Sequence, residues 1–547
     1  MMPRRLVRTA TQLGFLLFIL VCFLILVDNR LDVLPESMHS YLPAHHPGLV
    51  VTDITVVSCS SINLLSKCQL DPDKWHRIEK ELYLGSGWLK KAYVHVQRKM
   101  EADLSPDDKI ILDVRVGRLD PAMGEKGQAN EKWESRPGGL WLKRSAKKHS
   151  SESQKVITSV DVLFGADAVE PRTGWEIRDT PLLLDMSNGQ HDARLSVRRG
   201  TPAKIEKHIP RIRKDGKFKI MQVADIHLST GLGACRDAEP PGHNGGKCDA
   251  DPRTLEFIAR LLDQEKPDFV VLTGDQVNGD TAPDGQSAIF KYAELFIKRG
   301  IPYASIFGNH DDEGSLSRAG QMALVESLPY SVSEAGPKDV EGVGNYYVEV
   351  LAPGTSTHSA LTLYMLDTHA YSPDENHFRG YDWIKPNQID WFHKTAQGLK
   401  GAHDLYTHVH MDLAFIHIPL PEYREPNNLI VGQWREPPTA PGFNSHFHDA
   451  LVDEGVLMVS CGHDHVNDYC MLSRSPEQDK PQLWMCYGGG AGFGGYGGYG
   501  GYHRRVRFFG IDTNEARIST WKRLEYGETE KRIDEQVIVE GGRVVAG

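Results

Sequence analysis

Residues 218–227, FKIMQVADIH, combine a strand pattern with a carboxylate and an imidazole that follow it two positions apart. Four later fragments repeat this order, in which an apolar run typical of a buried strand is followed by side chains that can bind a metal. They are Gly274-Asp275, Gly308-Asn309-His310-Asp311, Ile416-His417-Ile418 and Gly462-His463-Asp464-His465. A helical pattern with its apolar residues on one face lies between the first two, at residues 255–262. The alternation predicts an α/β core, and such sheets place their sites at the ends of strands.

The five fragments together supply carboxylates, imidazoles and one amide. This set of donors is suited to two divalent cations that share one carboxylate, an arrangement that hydrolyses phosphate esters. Hard oxygen and borderline imidazole donors favour Mn, Fe or Zn over Ca. Single fragments are weak evidence, because a lone Asp225-x-His227 is more often a helix cap and a lone Gly274-Asp275 is often a turn. His417 rests on a short fragment, and His408 and His410 are alternatives to it on paper.

In this combination and order, the fragments resemble those of the calcineurin-like metallophosphoesterase superfamily over about Lys217 to Ile511. Within that superfamily the chain is most similar to fungal dose-dependent cell-cycle regulator phosphatases and to a related subgroup of plant purple acid phosphatases. The supporting residues are Gly380-Tyr381-Asp382-Trp383-Ile384, Gln388, Trp391 and the Gly/Tyr run after the last fragment. The resemblance implies a β-sandwich flanked by helices, with a β-rich N-terminal accessory domain beside it.

The resemblance also implies roles for individual residues. Asp225, His227 and His465 would bind the first metal, Asp275 would bridge both metals, and the second metal would be completed by Asn309, His417 and His463. His310 would contact the phosphate and protonate the leaving oxygen, and Asp311 would orient the imidazole of His310. One position departs from the purple enzymes, because Asn278 stands where they have a metal-binding tyrosine. No tyrosinate–iron colour is therefore expected.

The expected function is that of a metal-dependent phosphatase that hydrolyses phosphate monoesters through a metal-bridging hydroxide. Phosphorylated proteins are expected as substrates on the strength of the resemblance alone. Two alternatives stay open: a phosphodiesterase acting on lipid or glycolipid head groups, and a non-catalytic binding scaffold on the same fold. A formal net charge of −11 argues against a nucleic-acid partner, which would favour a basic surface.

Four segments are predicted along the 547 residues. Residues 1–30 are expected to be a single-pass type II membrane anchor, because Arg4, Arg5 and Arg8 precede an apolar stretch from Leu13 to Val27. A cleaved signal peptide is the alternative, although no small-residue cleavage pattern follows. The anchor would place the protein in the endomembrane system, with the side of the catalytic domain left open. Residues 31–49 are predicted to be a linker, 50–205 a β-rich accessory domain, and 206–547 the metallophosphoesterase domain with C-terminal strands.

Three further patterns allow more than one interpretation. Cys59–Cys68 and Cys235–Cys248 are close enough in sequence to form disulfides, but buried free cysteines are equally compatible with the spacing. The run from Gly488 to Gly501 indicates a flexible linker or an aromatic loop at the mouth of the site. Leu366-Asp367-Thr368-His369 imitates the first fragment, and a structural role is expected for it because the metal ligands are already complete.

Overall fold

The computed structural model describes residues 48–60, 68–87, 89–124, 131–185, 191–425, 428–498 and 502–546. The chain divides into two compact units. Of the described residues, the first unit contains those up to 114, those of 120–161, and 199–201. The second unit contains 115–119, 162–198 and everything from 202 onward.

The first unit is built from strands, as its alternating sequence predicts. Its six strands are β1 Leu49–Ser60, β2 Trp75–Arg77, β3 Lys90–Met100, β4 Ile110–Val116, β5 Glu131–Arg136 and β6 Leu140–Ser145. They form two three-stranded sheets in the orders β1-β3-β2 and β4-β6-β5. In β1 and β3 alternate apolar residues such as Val50, Ile54 and Val94 are fully buried, as the period of two in a strand requires. The predicted β-rich N-terminal region is therefore confirmed.

A third small sheet follows in the chain. Its strands are β7 Ile157–Phe164, β8 Trp175–Ile177 and β9 Ala193–Arg199, and β9 lies in the middle. All eight residues of β7 are buried. A fully buried strand usually has a continuous apolar sequence. In β7 this sequence is interrupted by the buried polar residues Thr158, Ser159 and Asp161.

The second unit is a sandwich of two seven-stranded sheets. The strands are β10 Lys217–Val223, β11 Phe269–Thr273, β12 Tyr303–Ile306, β13 Tyr346–Leu351, β14 Ser359–Met365, β15 Met411–Phe415, β16 Leu429–Val431, β17 Met458–Cys461, β18 Cys470–Arg474, β19 Pro481–Tyr487, β20 Arg505–Asp512, β21 Arg517–Leu524, β22 Ile533–Glu540 and β23 Arg543–Val544. One sheet has the order β12-β11-β10-β20-β21-β22-β23, and the other has the order β13-β14-β15-β17-β19-β18-β16. Ile220, Phe269 and Phe509 of the first sheet share a buried core with Phe415 and Trp484 of the second. The sheets therefore pack face to face, as expected for a sandwich.

Five described helices accompany these sheets: α1 Ala250–Glu265, α2 Gly285–Ile297, α3 Arg318–Glu326, α4 Pro386–His403 and α5 Phe447–Asp453. The starts of α2 and α4 follow ordinary capping rules, since the side chain of Asp284 accepts the amide of Ser287 before α2 and α4 has a proline in its first turn. Phe392 of α4 and Leu451 of α5 are buried in a second core with the outer face of the β14–β19 sheet. The predicted β-sandwich flanked by helices is confirmed.

The structure corrects the prediction of a type II membrane anchor, and with it the membrane localisation and the membrane partner. In the part of the chain that the structure describes, no helix is long and apolar enough to cross a membrane. A crossing needs about 20 apolar residues. Helix α4 has 18 residues, and its sequence includes Asp390, Lys394 and Lys400. The segment predicted as the anchor, residues 1–30, lies outside the described residues, as does most of the predicted linker.

Candidate metal centre

The predicted ligands follow the carboxyl ends of parallel strands. Strands β10, β11 and β12 run parallel in one sheet, and β14, β15, β17 and β19 run parallel in the other. Asp225 and His227 follow β10, Asp275 follows β11, and Asn309 and His310 follow β12. His417 follows β15, and both His463 and His465 follow β17. Because the parallel strands of a sheet end at one edge, these side chains are brought to a common place.

The backbone around these residues is unusual. Asp225, His227, Asp275 and His463 all have positive φ angles, between 47° and 77°. Such a conformation is costly for residues other than glycine and is concentrated at functional sites. The residue before Asp275 must be a glycine for a separate reason. A Cβ at Gly274 would overlap the ring of His417. The strand ends are thus shaped so that the donor side chains can converge.

The first group of donors consists of Asp225, His227, Asp275 and His465, and all four residues are buried. The Nε2 atoms of His227 and His465 are 3.0 Å apart. His465 Nε2 lies 3.6 Å from Asp225 Oδ1, and His227 Nε2 lies 3.6 Å from Asp275 Oδ2. Two imidazoles and two carboxylates therefore surround one small volume.

The second group consists of Asp275, His417 and His463 and is also fully buried. His417 Nε2 lies 3.4 Å from Asp275 Oδ2, 3.3 Å from Asn309 Oδ1 and 3.3 Å from His463 Nδ1. The same oxygen of Asp275 thus approaches one imidazole of each group. This is the position that a carboxylate shared by two cations would occupy.

The ring orientations fit metal ligands. His417 Nδ1–H donates to the carbonyl oxygen of Thr273 at 2.8 Å, and His465 Nδ1–H donates to that of Tyr496 at 2.9 Å. A carbonyl only accepts, so in the neutral ring the Nε2 lone pair of each histidine faces the cluster. Asn309 Nδ2 is buried with no hydrogen-bond partner, and its Oδ1 is the atom that faces His417. The donors present therefore fit a pair of divalent cations.

Burial sets most of the protonation states. It lowers the pKa of His227 to about 4 and holds the pKa values of His463 and His465 well below the usual range, so these rings are neutral at pH 7. Burial also opposes the charge on His417, but the carboxylates of Asp275 and Asp225 outweigh it and raise its pKa to about 9. A cation that binds His417 would therefore displace a proton from it.

His310 lies at the rim of the two groups and remains partly exposed. Its backbone N–H donates to Asp275 Oδ1 at 2.8 Å, and its ring centroid lies 5.4 Å from that of His227. Burial lowers the pKa of His310, but the carboxylates of Asp275 and Glu313 outweigh it, so the net pKa is raised. The charged imidazole is thus favoured beside the two groups.

The structure places Asp311 away from its predicted partner. Its carboxylate accepts the backbone N–H groups of Asp275, Val277 and Gly308 at 2.9, 2.9 and 2.6 Å. Asp311 therefore ties together the loops that carry Asp275 and Asn309. The carboxylate on His310 belongs instead to Glu313, whose Oε2 lies 2.6 Å from His310 Nδ1. In the sequence, the spacing of three residues is the only signal for this pair.

The imitation of the first fragment has a structural role, as expected. Asp367 accepts a hydrogen bond from Arg318 at 2.8 Å, and Arg318 also donates to the carbonyl oxygen of Gly308. The hydroxyl of Thr368 accepts the backbone N–H of Ile418. These contacts support the loops after β12 and β15. His410 contacts Thr362 and Asp412, so it is His417 that joins the cluster.

The glycine-rich run from Gly488 packs against the first group, as far as its described residues extend to Gly498. The ring of Tyr496 stacks on that of His465 with centroids 4.0 Å apart, and its hydroxyl donates to Glu436 at 2.7 Å. A Cβ at Gly492 would overlap the carbonyl oxygen of Ile226, and a Cβ at Gly495 would overlap the ring of His465. The glycines are therefore needed for close approach, and the aromatic-loop interpretation describes this segment.

Gly492→Ala is expected to lower both turnover and cation affinity by about 10–100-fold, as is usual when a residue supporting the ligands is changed. The added methyl meets backbone, which cannot rotate away, so the segment between Asp225 and His227 must shift. Gly398→Ala in α4 is the control, because its Cβ meets nothing within 4 Å. Turnover and bound metal are measured for both variants. Unchanged values for Gly492→Ala would show that the loop does not shape the site.

Residues 218–467 match the family described as Calcineurin-like phosphoesterase. Phosphatase DCR2 of Saccharomyces cerevisiae is 38% identical over 71% of this chain and 68% of its own length. The chain belongs to the calcineurin-like phosphoesterases. This confirms the resemblance inferred from the five fragments.

One further relative and one solved structure are also similar to this chain. Probable inactive purple acid phosphatase 29 of Arabidopsis thaliana is 34% identical over 61% of this chain and 87% of that protein. A dimetal phosphatase of solved structure from Danio rerio is 12% identical and has a TM-score of 0.38, covering 59% of this chain and 99% of that one. Asn278, at the position of the purple enzymes' tyrosine, donates to Thr281 Oγ1 at 2.8 Å.

Proposed function

We propose that this calcineurin-like phosphoesterase is a binuclear metal-dependent phosphatase that hydrolyses phosphate monoesters, with phosphorylated proteins as its substrate class. One observation carries the proposal: Asp275 Oδ2 lies 3.6 Å from an imidazole nitrogen of the first donor group and 3.4 Å from one of the second. A single carboxylate between two donor groups supports a pair of cations over a single one.

In this proposal Asp225, His227 and His465 hold one cation, Asn309, His417 and His463 hold the other, and Asp275 is shared. Mn, Fe or Zn would suit these donors. When bound, two such cations neutralise the phosphate oxygens and lower the pKa of water at the site. The buried walls contributed by the protein exclude bulk solvent and keep the imidazoles of His227, His463 and His465 in their neutral state.

His310 is the proposed acid for the leaving oxygen. Its partly exposed ring lies beside both donor groups, and its backbone N–H is tied to Asp275. The carboxylates of Asp275 and Glu313 raise the pKa of His310 and so favour the protonated ring, whose proton can be given to a departing alkoxide. General acid catalysis of this kind contributes about 10²–10⁴-fold, and it matters most when the leaving group is a poor one.

The scaffold alternative needs its own test, because one relative bears the name of a probable inactive phosphatase. In the present chain the described residues include the complete set of seven donor side chains as well as His310. A protein that only used this fold for binding would not require a charged imidazole at the rim of a donor pair. These residues support hydrolysis over a purely binding role.

The test compares p-nitrophenyl phosphate with bis(p-nitrophenyl) phosphate, using the full chain with Mn²⁺ or with a chelator. We expect chelator-sensitive turnover with a preference for the monoester. His310→Ala should lower turnover of an alkyl monoester, glycerol 2-phosphate, by about 10²–10⁴-fold. His408→Ala is the matched control, because His408 is exposed and outside the donor groups. Preference for the diester would favour the phosphodiesterase, and no turnover with two cations bound would favour the scaffold.

A further inference from the structure

Glu313 lies between His310 and Tyr371 at the rim of the site. Its Oε2 is 2.6 Å from His310 Nδ1, and its Oε1 accepts the hydroxyl of Tyr371 at 2.9 Å. The side chain of Glu313 is 25% exposed and that of His310 is 34% exposed, so the pair is partly shielded from water. Both oxygens of this carboxylate therefore have defined partners, which limits the rotation of the side chain.

Tyr371 is itself held in place. Its ring stacks on that of Tyr381 with centroids 5.7 Å apart, and the two residues form an isolated antiparallel bridge. Tyr381 in turn stands edge-on against the ring of His463, at 4.2 Å between centroids. Tyr371, Glu313 and His310 thus form a chain of contacts that is anchored on a donor residue of the second group.

A carboxylate on one ring nitrogen of a histidine fixes the orientation of the ring and the position of the proton on that nitrogen. The other nitrogen then faces a constant direction, which is what an acid needs to reach a leaving oxygen. Asp311 does not do this here, because its two oxygens are occupied by three backbone N–H groups.

We propose that Glu313 is a positioning residue that holds the His310 imidazole for protonation of the leaving group, and that the Tyr371 hydroxyl holds Glu313. This inference rests on the proposed phosphatase function. The alternative is that Glu313 only stabilises the turn after β12. In that case replacing Glu313 would lower the turnover of all substrates alike. The two possibilities differ in how the loss of turnover on replacing Glu313 depends on the leaving group of the substrate.

The first experiment measures turnover of glycerol 2-phosphate and p-nitrophenyl phosphate by Glu313→Ala. An alkoxide needs a proton to depart, whereas p-nitrophenolate leaves without one, so we expect a loss of about 10²-fold for the first ester and less than about 10-fold for the second. Glu313→Gln keeps an acceptor for Nδ1 and should fall between the wild type and Glu313→Ala. Tyr371→Phe should show the same pattern with a smaller loss.

Asp374→Asn is the matched control. Asp374 pairs with His377 at 2.8 Å and has the same spacing of three residues, but His377 is 76% exposed and the pair takes no part in the donor groups. This variant should behave as the wild type on both esters. Equal losses on the two esters in Glu313→Ala would overturn the positioning role.

A second readout does not depend on activity. A short hydrogen bond between an imidazole and a carboxylate moves the ring N–H proton resonance far downfield. We expect one such resonance that is absent in both His310→Asn and Glu313→Ala and present in Asp374→Asn. If the resonance is present but the wild type hydrolyses neither ester, the phosphatase proposal fails and the pairing stands. If hydrolysis occurs and no such resonance exists, the inference about Glu313 fails.

Discussion

Asp275→Asn is expected to lower the turnover of phosphate monoesters by at least about 10³-fold. Cations contribute several kcal/mol of charge stabilisation, and each 1.36 kcal/mol is tenfold in rate. The substitution removes the negative charge that both donor groups share, since Asp275 Oδ2 faces His227 and His417. Two cations would then be held close together without a carboxylate between them.

The fold should tolerate this substitution. Asp275 Oδ1 accepts the backbone N–H of His310, and an asparagine carbonyl oxygen can accept the same bond. The backbone N–H of Asp275 donates to Asp311 and is unaffected by the change of side chain. A loss of activity in Asp275→Asn therefore reports on charge, not on unfolding.

The measurement is the number of metal ions per chain, together with turnover of p-nitrophenyl phosphate. Asp280→Asn is the control. Asp280 lies only five residues further along the same loop, and its side chain is exposed. We expect fewer than two ions per chain and almost no turnover in Asp275→Asn, and wild-type values for both in Asp280→Asn. Two tightly bound ions and unchanged turnover in Asp275→Asn would show that this carboxylate is not shared.

The donor residues could be found from the sequence because each follows directly on a strand. Strand position and residue type are local properties, and parallel strands then bring the residues together without further information. This is why Asp225, Asp275 and His463 lie together in the two groups of the structure although they are far apart in the chain. The strand pattern seen within residues 218–227 corresponds to β10, Lys217–Val223, in the structure.

The partner of His310 could not be found in this way. Asp311 is adjacent in sequence and is the simpler choice, but the turn after β12 directs its carboxylate towards three backbone amides. Which of two nearby carboxylates reaches an imidazole depends on loop geometry, not on residue type.

The disulfide between Cys470 and Cys486 is not predicted from the sequence for a related reason. These residues are cross-strand neighbours, and the sequence does not reveal the register of their strands.

Of the three disulfides among the described residues, two agree with the close pairs seen in the sequence. Cys59–Cys68 and Cys235–Cys248 are bonded, and Cys461 is free and buried.

The glycine-rich run shows what amino-acid composition alone cannot predict. Glycines occur both in flexible linkers and where one backbone closely approaches another. Only the positions of Gly492 and Gly495 against Ile226 and His465 distinguish these uses.

Asp468→Asn should produce the largest loss of stability, at about 3–5 kcal/mol, because it removes one partner of a buried ion network. The carboxylate of Asp468 lies 2.7 Å from Lys522 Nζ and is also paired with Arg505, and both the Asp468 and the Lys522 side chains are fully buried. Lys522 Nζ keeps one further carboxylate, that of Asp534 at 2.5 Å. Lys522 would then keep only the partly exposed carboxylate of Asp534, and the buried guanidinium of Arg505 would lose its carboxylate partner and keep the carbonyl oxygen of His503.

The same network predicts how stability depends on pH. Burial by itself raises the pKa of Asp468, but Lys522 and Arg505 outweigh it and hold the pKa well below its usual range. Because the folded pKa is depressed, the stabilisation is present above the unfolded pKa of about 3.9 and is lost as the pH falls below it. The wild type should thus lose stability progressively as the pH falls below about 4, and the loss should continue below pH 2 because the folded pKa of Asp468 lies well below its usual range.

Denaturant midpoints measured at pH 7 and at stepwise lower pH test both statements. Asp479→Asn is the matched control, since Asp479 is 86% exposed in its pair with Arg474 and should show almost no change at any pH. The decisive comparison is the gap between the wild type and Asp468→Asn, which should be widest at neutral pH and should close in acid. A gap that stays constant down to pH 2 would mean that Asp468 stabilises the fold through its shape and its hydrogen bond to Gln433, not through its charge.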